Sequence, residues 1–297
     1  MRRYSMAPVL EVKGLTKEFK DFRLNSIDFT LEKGYIMGFI GPNGAGKSTT
    51  IKLILNLLKK DGGDIRIFGL DHLKHENEIK NKIGFVFDEN YFYEELTIDE
   101  MKSVVAPFYK TWDNGAFTRY LKEFGLPAKK KIKELSKGMK MKFSLAVALS
   151  HRCELLIMDE PTSGLDPVVR SELLDILSGL IQAESMGIFF STHITSDLDK
   201  IADYITFLHN GEIVLSAAKD DILENYGLVK GKKELLDSNT RKYFIGIKEN
   251  SFGFEGLVND KQKIRRLFKE QVIFEKPSLE DIMLYFTRRN SNVATDC

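Results

Sequence analysis

The chain has 297 residues, 43% hydrophobic and 29% charged, a balance that excludes disordered, collagenous and membrane-embedded extremes and allows one large domain with an appendage or two modest domains. Its 44 Lys and Arg against 43 Asp and Glu leave a net charge of +1, so no global field selects nucleic acid or an anionic surface and any such contact must be local. Two cysteines, Cys153 and Cys297, form neither a disulfide framework nor a metal spacing and fit a reducing cytosol.

The first residues, Met1 to Val9, carry Arg2 and Arg3 with no apolar core after them, unlike a signal peptide. From Val9 to Gly34 alternating apolar residues predict two strands, one with Leu10, Val12 and Leu15 and one with Leu24, Ile27, Phe29 and Leu31. Tyr35 to Ile40 is a short apolar run that enters a Gly-rich loop, and Thr49 to Lys59 has Ile51, Leu53, Ile54 and Leu57 at helical spacing. Strand, loop and helix in this order open a parallel α/β layer, to which Ile83–Phe87, Glu154–Asp159 and Gly187–Ser191 add buried-type strands. Between Thr97 and Arg152 helical spacing takes over, as at Phe117, Tyr120, Leu121 and Phe124, which predicts a helical subdomain over about 97–152. Asn210-Gly211, between Tyr204–Leu208 and Glu212–Leu215, predicts a hairpin with a type I′ turn.

The main domain is expected to close near Gly227, as residues 1–227, and 228–297 to form a small α+β accessory module. There the polar Gly227–Lys233 reads as a connector, Lys242–Ile247 and Val272–Phe274 as strands, and Ile264–Phe268 and Leu279–Phe286 as helices. Apolar runs such as Phe143 to Leu149 fall far short of the ~20 residues that cross a bilayer, so at a membrane another chain would supply the spanning helices.

Gly41-Pro42-Asn43-Gly44-Ala45-Gly46-Lys47-Ser48 satisfies G-x-x-x-x-G-K-[ST] between a predicted strand and a predicted helix. Glycines let backbone N–H groups curl around phosphate oxygens, and the helix N-terminus adds orphan donors and a positive dipole end. Lys47 would then reach the β and γ phosphates and Ser48 would hold Mg²⁺. Leu155 to Glu160 is an apolar strand ending in two acids, at the carboxyl edge where parallel sheets place their ligands. Asp159 suits the Mg²⁺ shell and Glu160 suits polarising the attacking water. A plain glycine turn and a capped strand end are the bland alternatives, and their coupling disfavours both.

With these motifs the chain resembles the nucleotide-binding subunit of an ATP-binding cassette (ABC) transporter. Leu135-Ser136-Lys137-Gly138-Met139 is similar to the family's signature loop, Ser163-Gly164-Leu165-Asp166 to the loop joining the halves of its dimer, and Ser191-Thr192-His193 to its histidine switch. Phe19 stands where the family has an aromatic that stacks on adenine, although Phe22 can also serve, and Asp88 stands where it usually has a glutamine. The resemblance covers Val9 to about Gly227.

It implies an α/β phosphate-loop NTPase core with an antiparallel β subdomain, an inserted helical subdomain and the small C-terminal α+β module. Glu160, His193 and Lys47 would be catalytic; Phe19, Asn43, Gly44, Ala45, Gly46, Lys47, Ser48, Thr49, Ser136 and Gly138 would bind ATP; Ser48, Asp159 and Asp88 would serve Mg²⁺. Ser136 and Gly138 open a helix whose N-terminus can receive the γ phosphate of a nucleotide on a second subunit, which implies a homodimer or cassette heterodimer with two shared ATP sites; an ordinary N-cap at Ser136 is the alternative. Lys137 and Met139 depart from the signature, and Asp88 exchanges an amide for a carboxylate. Lys137 can add positive charge near the partner's phosphates, and the wider basic run Lys129, Lys130, Lys131, Lys133, Lys137, Lys140 and Lys142 is a solvated face or an anion-attracting one.

The function expected is ATP hydrolysis that powers a membrane transporter from its cytoplasmic face, of the bacterial exporter branch, with integral membrane subunits as partners. The exposed-type cluster Tyr91-Phe92-Tyr93 is either subdomain packing or the socket for such a subunit. The alternative is a soluble cassette ATPase acting on ribosomes or DNA; those carry two phosphate loops in one chain or a long coiled coil before the acidic strand, and this chain has neither. No nucleic acid is expected as a partner.

Overall fold

A computed structural model describes residues 8–88, 91–184 and 186–291; Arg2, Arg3 and Cys297 lie outside them. The chain divides into two compact units, Met1–Ile213 and Val214–Cys297.

In the first unit β1 (Pro8–Glu18) and β2 (Arg23–Glu32) pair antiparallel, burying Leu10, Val12, Leu15, Leu24, Ile27, Phe29 and Leu31 as alternation requires. The alternation slips in both strands, where Gly14 adopts φ 59 and the register shifts between Val12 and Leu15, and where Ser26 adopts φ 50 and it shifts between Leu15 and Lys17. β3 (Ile36–Ile40) leads into α1 (Lys47–Ile54). The helix expected over Thr49–Lys59 therefore starts two residues earlier and ends five residues earlier, because Asn56 takes φ 55, outside the right-handed helical region. β4 (Gly62–Ile67) and β5 (Leu70–Asp71) complete a sheet of order β2-β1-β4-β5, the antiparallel subdomain.

α2 (Glu76–Lys80) and β6 (Ile83–Val86) precede the helical segment, made of α3 (Ile98–Val105), α4 (Asn114–Glu123) and α5 (Lys137–Leu149). Its caps explain its boundaries: Thr97 and Glu100 form a capping box, Asp113 accepts from the Ala116 N–H, and Ser136 Oγ accepts from the Met139 N–H. β7 (Leu155–Asp159), α6 (Pro167–Glu184), β8 (Gly187–Thr192), α7 (Thr195–Ile201), β9 (Tyr204–His209) and β10 (Glu212–Ala218) follow. Asn210 and Gly211 at the β9–β10 turn have φ 48 and 77, the two positive values a type I′ hairpin needs.

The second sheet has the order β10-β9-β3-β8-β7-β6. β3 lies parallel to β8 and β9, and β7 lies parallel to β8 and β6. Every residue of β3, β7 and β8 is buried, which is why these strands read as continuous apolar runs. Their register sets Ile40 beside Thr192, Ser191 beside Asp159 and Met158 beside Val86. The segments after β3, β6, β7 and β8 consequently leave the sheet at one carboxyl edge.

The second unit contains α8 (Lys219–Asn225), β11 (Gly227–Gly231), α9 (Ser238–Arg241), β12 (Gly246–Asn250), β13 (Gly253–Val258), α10 (Lys261–Phe268), β14 (Val272–Glu275) and α11 (Leu279–Ser291). Its antiparallel sheet has the order β12-β13-β11-β14. Gly227–Lys233, expected as a connector, instead begins with a central strand whose Val229 is buried among Phe254, Val258, Ile264 and Val272. The strand expected at Lys242–Ile247 is displaced to Gly246–Asn250, because Asp237 accepts from the N–H groups of Asn239 and Thr240 and turns the preceding segment into α9.

Candidate nucleotide site

At the shared carboxyl edge a cavity of about 350 Å³ is lined by Phe22, Asn43, Gly44, Gly46, Lys47, Ser48, Thr49, Asp88, Glu160, Ser163 and His193. The loop after β3 makes its floor. Gly46 caps α1 at φ 112, and a Cβ there would lie 2.8 Å from the Phe22 ring, so both backbone and space call for glycine. The orphan N–H groups of the first turn of α1 and its positive dipole end sit in this loop, which suits an anion.

Lys47 is only 6% exposed, and its Nζ donates to the Gly41 carbonyl at 2.8 Å and lies 3.2 Å from Glu160 Oε1. Glu160 Oε2 in turn accepts from the His193 backbone N–H at 3.2 Å and lies 2.8 Å from His193 Nδ1. One carboxylate is thus held between an ammonium and an imidazole. Glu160 also carries φ 50, a left-handed conformation that a non-glycine residue keeps only where its surroundings impose it. The imposing contacts are the Glu160 N–H to the Ser191 carbonyl at 2.9 Å and the Ser163 N–H to the Glu160 carbonyl at 3.1 Å.

Asp159 ends β7 behind this cavity. Burial pushes its carboxyl above the ordinary value, and the nearby Ser48, Ser191 and Lys47 offset part of that shift. Asp159 Oδ1 and Ser191 Oγ are buried without a hydrogen-bond partner, whereas Ser48 is exposed. These hard oxygens fit Mg²⁺. Among the described residues no three His, Cys, Asp or Glu converge as a metal cage, so a metal here would share its shell with phosphate oxygens.

The other expected residues fall in two groups. Phe22, not Phe19, lines the cavity; Phe19 is its outer neighbour, with ring centroids 6.2 Å apart and Lys17 Nζ 5.7 Å from the Phe19 ring. Ala45 is buried inside the loop. Ser136 and Gly138 lie outside the cavity lining, at the N-terminus of α5. Gly138 is buried there, and a Cβ would lie 2.6 Å from Val169 Cγ1, so its glycine lets α5 approach α6. The lysine run is largely neutralised within the chain: Lys131 and Lys133 pair with Glu95, Lys140 with Glu94 and Lys142 with Glu172. Phe92 packs on Phe143 at 4.7 Å, while Tyr91 and Tyr93 are exposed.

Sequence reasoning missed a buried network behind the acidic loop. Asp197, 2% exposed on α7, accepts from Arg170 Nε of α6 at 2.5 Å and from Thr162 Oγ1 at 2.6 Å. It ties the loop after Glu160 to the helix after His193. Its signal in the sequence is an acid four residues beyond His193, which no local pattern distinguishes from a solvated helix residue.

A phosphate loop, an acidic strand end and a histidine converging at one edge of a parallel sheet define a nucleotide-hydrolysing phosphate-loop enzyme. The family model described as "ABC transporter" matches residues 24–163. The chain is 34% identical to the bacitracin transport ATP-binding protein BcrA of Bacillus licheniformis over 212 residues, 70% of this chain and 69% of that one. It is 34% identical to the lantibiotic transport ATP-binding protein SrtF of Streptococcus pyogenes over 215 residues, 71% and 92% of the two chains. A solved structure described as the ATP binding subunit of an ABC transporter superimposes with a TM-score of 0.66 at 32% identity, covering 73% of this chain and 92% of that one. The chain belongs to the ABC transporter family, as an ATP-binding and ATP-hydrolysing cassette. Among the described residues no helix is long and apolar enough to cross a membrane.

Proposed function

We propose that this chain is the motor of a membrane exporter, bound to integral membrane subunits at the cytoplasmic face and working as half of a dimer, homomeric or with a related cassette, that shares two ATP sites. The observation that carries this reading is the register that gathers Lys47, Ser48, Asp88, Glu160 and His193 at one edge and leaves Ser136 and Gly138 outside the cavity. A helix N-terminus whose Ser136 and Gly138 do not line the chain's own cavity fits a nucleotide held by a second copy.

In this arrangement the loop Asn43 to Thr49 cradles the phosphates, and Lys47 exchanges its contact with Glu160 for the β and γ oxygens. Ser48 and Asp159 would hold Mg²⁺, with Asp88 at the cavity wall as a third oxygen source, and the ion would supply charge neutralisation for the departing phosphate. Glu160, released from Lys47, polarises the attacking water, and His193 orients that carboxylate and reaches the γ phosphate. Phe22 offers a ring for the base, with Phe19 next to it. The transport names of the relatives favour a role in membrane transport over action on ribosomes or DNA. An apolar groove of about 410 Å³ lined by Leu57, Phe85, Phe87, Phe108 and Tyr109 offers a seat for a partner's helix.

Glu160→Gln tests the mechanism. Turnover should fall by about 10²-fold or more while ATP affinity stays near the parent value, and ATP should drive the variant into a stable dimer seen by light scattering. Hydrolysis at the parent rate would remove Glu160 from its role, and a variant that stays monomeric with ATP would end the shared-site reading. Purification from membranes should bring down an integral membrane protein; recovery of ribosomes alone would sink the transport reading.

A further inference from the structure

Asp88 and Lys137 meet in the fold. Lys137 Nζ donates to Asp88 Oδ1 at 2.8 Å across 49 residues of sequence. Asp88 lines the nucleotide cavity together with Lys47, Ser48 and His193. Lys137 is the first residue of α5, directly after Ser136, and its Nζ stands 3.2 Å from where a Cβ on Gly164 would be. One ion pair therefore spans the wall of the chain's own cavity, the N-terminus of α5 and the loop Ser163 to Asp166. A lysine in the first turn of a helix opposes the helix dipole, and the Asp88 carboxylate offsets that charge.

We propose that Asp88 is a positioning residue: through its ion pair with Lys137 it sets the posture of the α5 N-terminus, and with it the surface offered to a second copy's nucleotide, according to what occupies the chain's own cavity. The proposal rests on the shared-site reading above. Its physical basis is competition. Phosphate oxyanions entering the cavity repel the Asp88 carboxylate and attract the Lys137 ammonium, so the pair competes with the nucleotide for both partners; Asp88 would also be drawn to any metal ion bound with it. The pair can respond because its side chains are 41% and 45% exposed, so water replaces a lost partner. The Arg170–Asp197 pair, with Asp197 2% exposed, has no such freedom.

A double-mutant cycle on the full-length chain tests this, with Asp88→Asn, Lys137→Gln and both together, reading kcat for ATP hydrolysis, nucleotide Kd and melting temperature. Each single variant should lower kcat about fivefold, and the double variant should be no slower than the slower single, a coupling of about fivefold. The coupling should shrink in high salt and be absent from the melting temperature. Multiplicative losses, in which Lys137→Gln costs the same whether or not Asp88 has been replaced, overturn the proposal and would place Lys137 on the partner's phosphates alone. Coupling confined to the melting temperature makes the pair a structural staple and also overturns it. If Glu160→Gln fails to dimerise with ATP, the shared-site reading fails and takes this proposal with it; a dimer with multiplicative rates sinks the ion-pair role alone.

Discussion

Arg170 and Asp197 form an ion pair behind the loop that follows Glu160. Both partners of this pair leave water, Asp197 almost entirely, and the desolvation is balanced by the guanidinium and by the Thr162 hydroxyl. Arg170→Ala leaves a buried carboxylate uncompensated, which costs about 3–5 kcal/mol; denaturant unfolding should show that loss, and a change under about 1 kcal/mol would mean that water enters and the network is dispensable. Arg170→Lys should not restore it, because Nε serves Asp197 while Nη2 serves Ser196, a forked geometry that one ammonium lacks. Among single residues the phosphate loop and the acidic pair were legible, since each chemistry needs residue types at fixed local spacing. The choice of Phe22 over Phe19 for the cavity wall was not, because two nearby aromatics have the same pattern and only the path of the β1–β2 turn separates them.

At the scale of elements, α5 depends on close approach to α6. Gly138→Ala would set a methyl 2.6 Å from Val169 Cγ1, so one helix must move, at a cost of about 1–3 kcal/mol. The loss should appear in thermal unfolding, and adding Val169→Ala should recover most of it; a double variant no more stable than the single would show that Gly138 serves the backbone and not the packing. The long apolar strands β3, β7 and β8 were readable because burial on both faces leaves no polar alternation. β4, β11 and β13 were not. β11 has only Leu228 and Val229 between Gly227 and the polar Lys230, and β13 is broken by Gly253 and Gly256, so their strand character comes from neighbours that pair with them. The α5 cap at Ser136 was readable as a helix start, but its tight packing on Val169 was not.

For the molecule as a whole, one source of acid sensitivity is His151, a fully buried base among the described residues that follows α5 and stacks on Tyr109 at 3.9 Å. Neither ring nitrogen has a hydrogen-bond partner among the described residues, and burial lowers its pKa to about 4. The unfolded chain, with a pKa near about 6.5, takes up the proton more readily. The stability tied to the neutral ring is therefore complete above that value and is lost as pH falls toward 4, by about 3 kcal/mol in all. Melting temperatures of the parent should drop between pH 7 and pH 5, and His151→Leu should flatten that drop; an unchanged drop would assign acid sensitivity elsewhere.

Sequence alone determined the chemistry of this protein and its fold class, since a phosphate loop, an acidic strand end and continuous apolar strands each depend on neighbours a few positions apart. Tertiary structure alone decided which groups meet across the edge: Glu160 between Lys47 and His193, Asp197 between Thr162 and Arg170, and Asp88 against Lys137, pairs brought together by strand register and helix packing. No local pattern encodes such meetings. They depend on how Ile40, Asp159 and Thr192 align in one sheet, which is a property of the packed chain.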